Sequence, residues 1–144
     1  EVLRWGMTGA DLEMEVQRLL FQSGHIAVLC DESKRKAKQT LPALDMQLDG
    51  VMMDIRSVTK KKQHYGSHLK AKNKQLARYN ARSDVRVPAD TVCLYFHDGS
   101  MYHPSKITVG ARWLKKQASH VCVRHVVCVI RKDDDSIEIR RHDI

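Results

Sequence analysis

The chain lacks the patterns that identify several common classes of protein. No apolar run approaches the ~18 residues of a membrane-spanning helix, and no signal-peptide pattern opens the sequence. The sequence also has no G-x-S-x-G, P-loop or dinucleotide-binding fingerprint, which gives little support to acyl-transfer hydrolases and to nucleotide-binding folds. We therefore expect a protein that acts in the cytoplasm and has no membrane span.

Cysteine is scarce as well. The four cysteines each fall within an apolar run, and none forms a C-x-x-C pair of the kind that holds zinc. We interpret them as reduced residues of the core, as is usual in a cytosolic protein. They are Cys30, Cys93, Cys122 and Cys128. Their pattern favours no metal or other cofactor.

Acidic residues are missing from one long segment. From Ile55 to Ser83 the chain has nine lysines and arginines and neither Asp nor Glu. A block of one sign attracts polyanions and releases their counterions on binding. The segment therefore predicts a face that binds nucleic acid. The residues assigned to this face are Lys60, Lys61, Lys62, Lys70, Lys72, Lys74 and Arg78.

The composition itself is that of a folded domain. Hydrophobic residues make up 42% of the 144 residues and charged residues 29%, with a formal net charge of +8. A chain of this length can bury a substantial core in one domain. We treat residues 1–144 as a single domain. Because the chain begins at Glu1 rather than Met, we expect that it could have been excised from a longer protein.

Hydrophobic periodicity and turn residues predict the element order α-β-β-β-α-β-α-β-β. A helix is predicted from Thr8 to Gly24, and a strand from Ile26 to Cys30. Asp49-Gly50 is a strong two-residue hairpin signal between strands at 44–48 and 51–55. The remaining elements are helices at 67–81 and 104–117 and strands at 91–97, 121–130 and 136–141. The predicted fold class is α+β, with a mixed or antiparallel central sheet flanked by helices.

Two acidic residues interrupt the apolar runs around this hairpin. Asp45 lies in the first run, and Asp54 lies within Val-Met-Met-Asp-Ile, where an unpaired charge is costly. Because aspartate is a poor strand residue, we expect a partner or a role for Asp54. Arg56 follows two residues later and could stabilise negative charge on a phosphate. The alternative is a hairpin with ordinary surface charges, and the strand register that would decide is open.

The loop after the second hairpin strand is basic and carries two rings. His64 is a candidate acid–base group near neutral pH, although a histidine in a loop is more often an ordinary surface residue. Tyr65 could stack on a nucleic-acid base.

The text LDMQLDGVMMDIRS, followed by KNKQ, TVCLYF, GARWLKKQ and VVCVIRKDDDSIEIRR, resembles the barnase/EndoU/colicin-like nucleases of toxins and phage proteins. The resemblance extends over about residues 24–141. It implies an RNase that needs no metal. For a toxin, it also implies secretion within a larger protein and an acidic immunity protein as a partner. The site positions that it implies are Asp45, Asp54, Arg56, Ser57 and Gln75.

The chain is also similar to the PD-(D/E)xK endonucleases, whose core order is α-β-β-β-α-β. Asp45 and Asp54-Ile55-Arg56 look like the D…(D/E)xK motif, and Gln75 to Tyr79 looks like a Q-x-x-x-Y helix. This resemblance implies that the two acids hold Mg²⁺ while the cation and the glutamine act on the phosphate. Here Leu44 precedes the first acid instead of proline. Arg56 replaces lysine and can stabilise charge but not act as a base.

Three hypotheses follow. The slightly preferred one is a metal-independent RNase acting on tRNA-like RNA, in which the 2′-hydroxyl is the nucleophile and Asp54 or His64 moves protons. The second is a Mg²⁺-dependent DNA endonuclease with Asp45 and Asp54 as metal ligands. The third is a non-catalytic domain that binds nucleic acid or another partner.

Overall fold

A computed structural model describes residues 9–29 and 44–144 of the chain. Over these residues the elements follow the predicted order α-β-β-β-α-β-α-β-β around one mixed six-stranded sheet, so the α+β prediction is confirmed. Two predicted positions, Thr8 and Cys30, lie outside the described residues.

Most bounds of the helices and strands lie within two residues of the predicted ones, but the strand predicted at 121–130 begins only at His125, and the strand predicted at 51–55 is longer than expected. The helices are α1 (Gly9–Gln22), α2 (Gly66–Asn80) and α3 (Pro104–Gln117). The strands are β1 (Ala27–Leu29), β2 (Met46–Leu48), β3 (Val51–Val58), β4 (Thr91–Phe96), β5 (His125–Arg131) and β6 (Ile137–Asp143). β3 continues to Val58 instead of ending at Ile55. In the described part of the chain, no helix has the length and apolar character that crossing a bilayer requires.

The strands of the sheet lie side by side in chain order. β1, β2 and β3 are antiparallel neighbours, β3, β4 and β5 are parallel, and β6 returns antiparallel at the edge. The two parallel connections need crossovers, and α2 and α3 supply them. Every residue of the central strand β4 is buried, as expected for a strand covered on both faces.

The hairpin between β2 and β3 turns where the sequence predicts. Asp49 has φ +48° and Gly50 has φ +87°. A two-residue hairpin turn of this type needs positive φ at both central positions, which glycine and aspartate tolerate best. The Asp49 carboxylate also accepts a 2.9 Å hydrogen bond from the Ile26 N–H and approaches His25 at 3.0 Å, tying the turn to β1.

Helices cover the two faces of the sheet unequally. Leu69 and Leu76 of α2 pack with Ile107 and Leu114 of α3 in one buried cluster on one face. On the opposite face, within the described residues, the helix is α1, whose Val16, Leu19 and Leu20 pack on β3 and β4. α2 therefore covers one face of β3, and α1 covers the opposite face of the same strand.

α2 and α3 cross at a contact that has no room for a side chain. A Cβ added to Gly110 in the middle of α3 would lie 2.6 Å from the backbone nitrogen of Gly66 at the start of α2. Glycine weakens a helix interior by roughly 1 kcal/mol, so close packing of the two backbones is the compensating gain.

We expect Gly110→Ala to destabilise the protein by about 1–3 kcal/mol, because the added methyl forces the helices apart. The control is Val109→Ala, next to it on the exposed side of α3 and 44% exposed, which should change stability by less than about 0.5 kcal/mol. Urea unfolding midpoints measure both. A Gly110→Ala protein as stable as the wild type would contradict the close crossing.

Candidate active site

A groove opens where β2 ends and β3 continues. β2 pairs only with Val51, Met52 and Met53, so in the described part of the chain the following residues of β3 have a strand neighbour on one side only. The groove beside this free edge has a volume of about 390 Å³. Its lining comes from α1 (Leu12, Glu13), from α2 (His68, Lys72) and from Asp45, Ile55, Arg56, Ser57 and Thr59.

Asp45 and Asp54 converge at the N-terminal end of β2, where Asp45 directly precedes the strand. The backbone N–H of Asp45 donates to Oδ1 of Asp54 at 3.2 Å, and the N–H of Ile55 donates to Oδ2 of Asp45 at 2.9 Å. Asp45 thus occupies the place that a further residue of β2 would take in the ladder. Burial and the neighbouring carboxylate of Asp54 raise the pKa of Asp45 to about 7. The pair therefore holds more negative charge above neutral pH than its surroundings readily accommodate.

Lys72 supplies the cation of this cluster. Its Nζ lies 2.7 Å from Oδ2 of Asp54, whose side chain is only 1% exposed. Asp54 does not itself line the groove. One of its oxygens accepts the backbone N–H of Asp45 and the other accepts from the ammonium of Lys72, and these two residues do line the groove. The costly buried aspartate that the sequence contains therefore has a charged partner, as expected.

Arg56 lies two residues beyond Asp54 and points to the same face of β3. Its Nε donates to Nδ1 of His68 at 3.0 Å. Arg56 is exposed, whereas His68 in the first turn of α2 is only 7% exposed. Burial, followed by the positive charges of Lys62 and Arg56, lowers the pKa of His68 to about 4.

Of the other predicted site residues, one lines the groove and two do not. Ser57 is the one that does. Gln75 follows Lys72 by three residues on α2 but is not part of the groove lining. His64 lies outside the groove as well, where its Nδ1 accepts the Gly66 N–H at 3.1 Å and its ring packs 5.6 Å from Trp113.

The expectation that Tyr65 stacks on a base is wrong. The residue is fully buried, and its ring packs edge-on against Phe96 and parallel to His68. Tyr65 immediately precedes α2, so its apolar ring anchors the start of that helix in the core. A large aromatic residue beside a helix is usually buried in the core in this way.

Most basic residues of the 55–83 block lie outside the groove lining, to which the block contributes the cations Arg56 and Lys72. Lys60, Lys61 and Lys62 are exposed in the loop after β3, and Lys62 donates to Ser67 at 3.2 Å. Lys70 lies over the ring of Trp113 at 5.7 Å. Further along α2, Lys74 and Arg78 are exposed. These cations lie in the loop that follows β3 and in α2, the helix that also supplies His68 and Lys72 to the groove.

Sequence reasoning missed the role of Lys72 in the cluster and the contact of His68 with Arg56. The available signal was a match of two spacings. His68 and Lys72 are four residues apart and share one face of a helix, while Asp54 and Arg56 are two apart and share one face of a strand. If that helix covers that strand, the two pairs meet.

The donor set fits some metals and not others. Among residues 9–29 and 44–144, no three His, Cys, Asp or Glu side chains come together in a way that could hold an ion. Structural zinc takes four such ligands, whereas Mg²⁺ is commonly held by one or two carboxylates together with water and substrate phosphate. Of the two acids, Asp45 lines the groove and is the carboxylate that a cation in the groove could reach directly, while Asp54 lies buried beside it.

Comparison of the chain with protein families, with curated proteins and with solved structures gave no match.

Proposed function

We propose that this domain is a nuclease that cleaves a phosphodiester with the help of a divalent cation such as Mg²⁺. The observation that carries the proposal is the Asp45–Asp54–Lys72 cluster at the free edge of β3. Two carboxylates and one ammonium meet there beside an open groove of about 390 Å³. Buried like charges are expensive to maintain, and they occur where a function needs them.

The carboxylate pair fits a hard divalent cation. Oxygen donors are the ligands that Mg²⁺ takes. Burial and the neighbouring Asp54 carboxylate raise the pKa of Asp45, and a bound cation would offset both effects. Held there, the ion would supply Lewis-acid stabilisation of the charge that develops on the phosphate oxygens. Asp45 lines the groove directly, and Asp54 shares a hydrogen-bonding network with it.

The cations of the chain have separate tasks. Lys72 donates to Asp54 and lines the groove, so its ammonium is placed to stabilise negative charge on the reacting phosphate. Arg56 offers a planar fork of donors that matches two phosphate oxygens. Ser57 and Thr59 add hydroxyl groups to the lining of the groove.

Nucleic acid is the polyanion that the surface suits. The exposed cations are in the loop after β3 and on α2, the helix that also supplies His68 and Lys72 to the groove; they are Lys60, Lys61, Lys62, Lys74 and Arg78. Contacts of this kind position a backbone without reading its sequence. They support binding to DNA or RNA and leave open which of the two is cleaved.

The geometry supports the metal-dependent hypothesis better than the metal-independent RNase that the sequence slightly favours. The RNase hypothesis uses His64 or Asp54 to move protons, but His64 does not line the groove, whereas Asp45, the first acid of the metal-dependent hypothesis, does. The order α1-β1-β2-β3-α2-β4 is also the one implied by the resemblance to PD-(D/E)xK endonucleases.

The test is a cleavage assay with two substrates, three metal conditions and one variant. Plasmid DNA and labelled tRNA are incubated with the protein in Mg²⁺, in Mn²⁺ and in EDTA, and Asp54→Asn serves as the inactive variant. We expect cleavage of at least one substrate that needs a divalent cation and falls by at least 10³-fold in the variant. Cleavage of tRNA in EDTA would contradict the proposal and restore the RNase hypothesis. Binding without cleavage in every arm would leave a binding module.

A further inference from the structure

His68 and Arg56 form a contact whose chemistry is fully determined by its geometry. The Nε of an arginine carries a hydrogen and can only donate, so Nδ1 of His68, 3.0 Å away, must accept. The imidazole is therefore neutral, with its proton on Nε2. The low pKa of about 4, caused by burial and by the positive charges of Lys62 and Arg56, agrees with a neutral ring at physiological pH.

The ring of His68 is held in place from several sides. It is 7% exposed, stacks with Tyr65 at a centroid distance of 6.0 Å and an interplanar angle of 23°, and sits in the first turn of α2. Its Nε2 is buried and has no hydrogen-bond partner among the described residues. A buried imidazole with an unsatisfied nitrogen costs stability, which indicates a role other than packing.

Arg56 is used at only one of its nitrogens. Across residues 9–29 and 44–144, its two terminal nitrogens make no hydrogen bond or ion pair, and the residue is exposed in the lining of the groove. The flexible guanidinium is thus fixed at Nε by a rigid ring, while the ends that could grip an anion stay free. A fork of this kind matches two oxygens of a phosphate.

We propose that His68 is a positioning residue that holds Arg56 over the groove as a phosphate clamp. His68 contacts no substrate. It accepts the Nε hydrogen, orients the terminal nitrogens towards the groove and reduces the conformational entropy that Arg56 loses when it binds. The proposal rests on the proposed function only in taking nucleic-acid phosphate as the ligand of the groove.

Binding measurements under conditions without cleavage test it. The full chain is titrated into fluorescein-labelled single-stranded RNA and duplex DNA in EDTA, and anisotropy gives the Kd. Four variants are compared: Arg56→Ala, His68→Leu, the double variant and His68→Gln. Because a charge-assisted contact is lost, Arg56→Ala and His68→Leu should each weaken binding about 10–100-fold. The double variant should be no weaker than the weaker single one.

The conservative variant separates positioning from packing. The side-chain oxygen of glutamine can accept the same hydrogen from Arg56, so His68→Gln should bind close to wild-type affinity. The slope of log K against log salt should fall by about one in Arg56→Ala and in His68→Leu, as for one lost phosphate contact, and not in His68→Gln. Thermal unfolding by circular dichroism shows that each variant is folded.

Several results would overturn the clamp. They are an unchanged Kd in His68→Leu, additive losses in the double variant, or a failure of the wild type to bind either nucleic acid. Binding that follows the expected pattern without cleavage in any metal would overturn the nuclease activity and leave the clamp standing. Cleavage that does not depend on His68 would overturn the clamp and leave the nuclease activity standing.

Discussion

We expect Lys72→Met to abolish most cleavage and to destabilise the protein in the absence of metal. The substitution keeps the length and apolar stem of the side chain but leaves the carboxylate of Asp54, 1% exposed, without its cation. Breaking a buried pair from one side costs about 3–5 kcal/mol, because the remaining charge is neither solvated nor paired. Loss of a preorganised cation at the reacting phosphate should lower kcat by about 10²–10³.

Divalent cations should repair one of these defects and not the other. Mg²⁺ or Mn²⁺ can neutralise Asp54 in the variant, so the thermal midpoint of Lys72→Met should rise more on adding metal than that of the wild type. Cleavage should stay low, because the ammonium is still missing. Lys116→Met, at an exposed position of α3 outside the groove lining and outside the 55–83 block, is the matched control and should change neither property. Equal metal-induced stabilisation of Lys72→Met and wild type would argue against the carboxylate pair as the metal site.

The fold was predictable because its signals are local. Asp49-Gly50 specifies a two-residue hairpin turn because both residues tolerate the positive φ angles that the turn needs. Pro104 starts α3 at the predicted residue. The β-branched run that becomes β5 reads as a buried strand from its own composition. Gly110 weakens the pattern of α3 and is explained only by the neighbouring backbone of Gly66, which no local window contains.

The site was only partly predictable because it depends on how elements meet. Asp45, Asp54 and Arg56 stand out as charges in apolar strands. Their convergence depends on the length and pairing of the strands: β2 has only three residues and β3 has eight, and a shift of the pairing register would separate the two acids. The contributions of His68 and Lys72 depend on the rotation of α2 about its axis. Periodicity shows which residues share a helix face but not which strand residue that face meets.

A last prediction links the chemistry of the site to stability: Asp45→Asn should stabilise the metal-free protein while removing its activity. Asparagine has the shape of aspartate. It can accept the Ile55 N–H as Asp45 does at 2.9 Å, and its amide can donate to the neighbouring Asp54 carboxylate. The variant therefore keeps the hydrogen bonds and loses the second charge.

The sign and the pH range follow from the raised pKa of Asp45, which moves from 3.8 to about 7 on folding. The native state binds this proton more tightly than the unfolded state does. The stability contributed by that proton is complete below pH ~4 and is lost as the pH rises to about 7. Wild-type stability in EDTA should therefore fall across this interval relative to Asp45→Asn. At pH 8 the variant should be more stable by about 1–3 kcal/mol, allowing for partial solvent screening.

Thermal midpoints in EDTA between pH 5 and pH 8.5 measure this difference. The control is Asp49→Asn in the hairpin turn, where hydrogen bonds from His25 and from the Ile26 N–H lower the pKa of Asp49, so the same change should destabilise the protein. Opposite signs for two Asp→Asn substitutions four residues apart would be hard to obtain from anything but local electrostatics. Because carboxylates that merely support the fold do not destabilise it, a stabilised and inactive Asp45→Asn would identify Asp45 as kept for function. A difference that is flat with pH, or an Asp45→Asn protein that still cleaves, would remove Asp45 from the site.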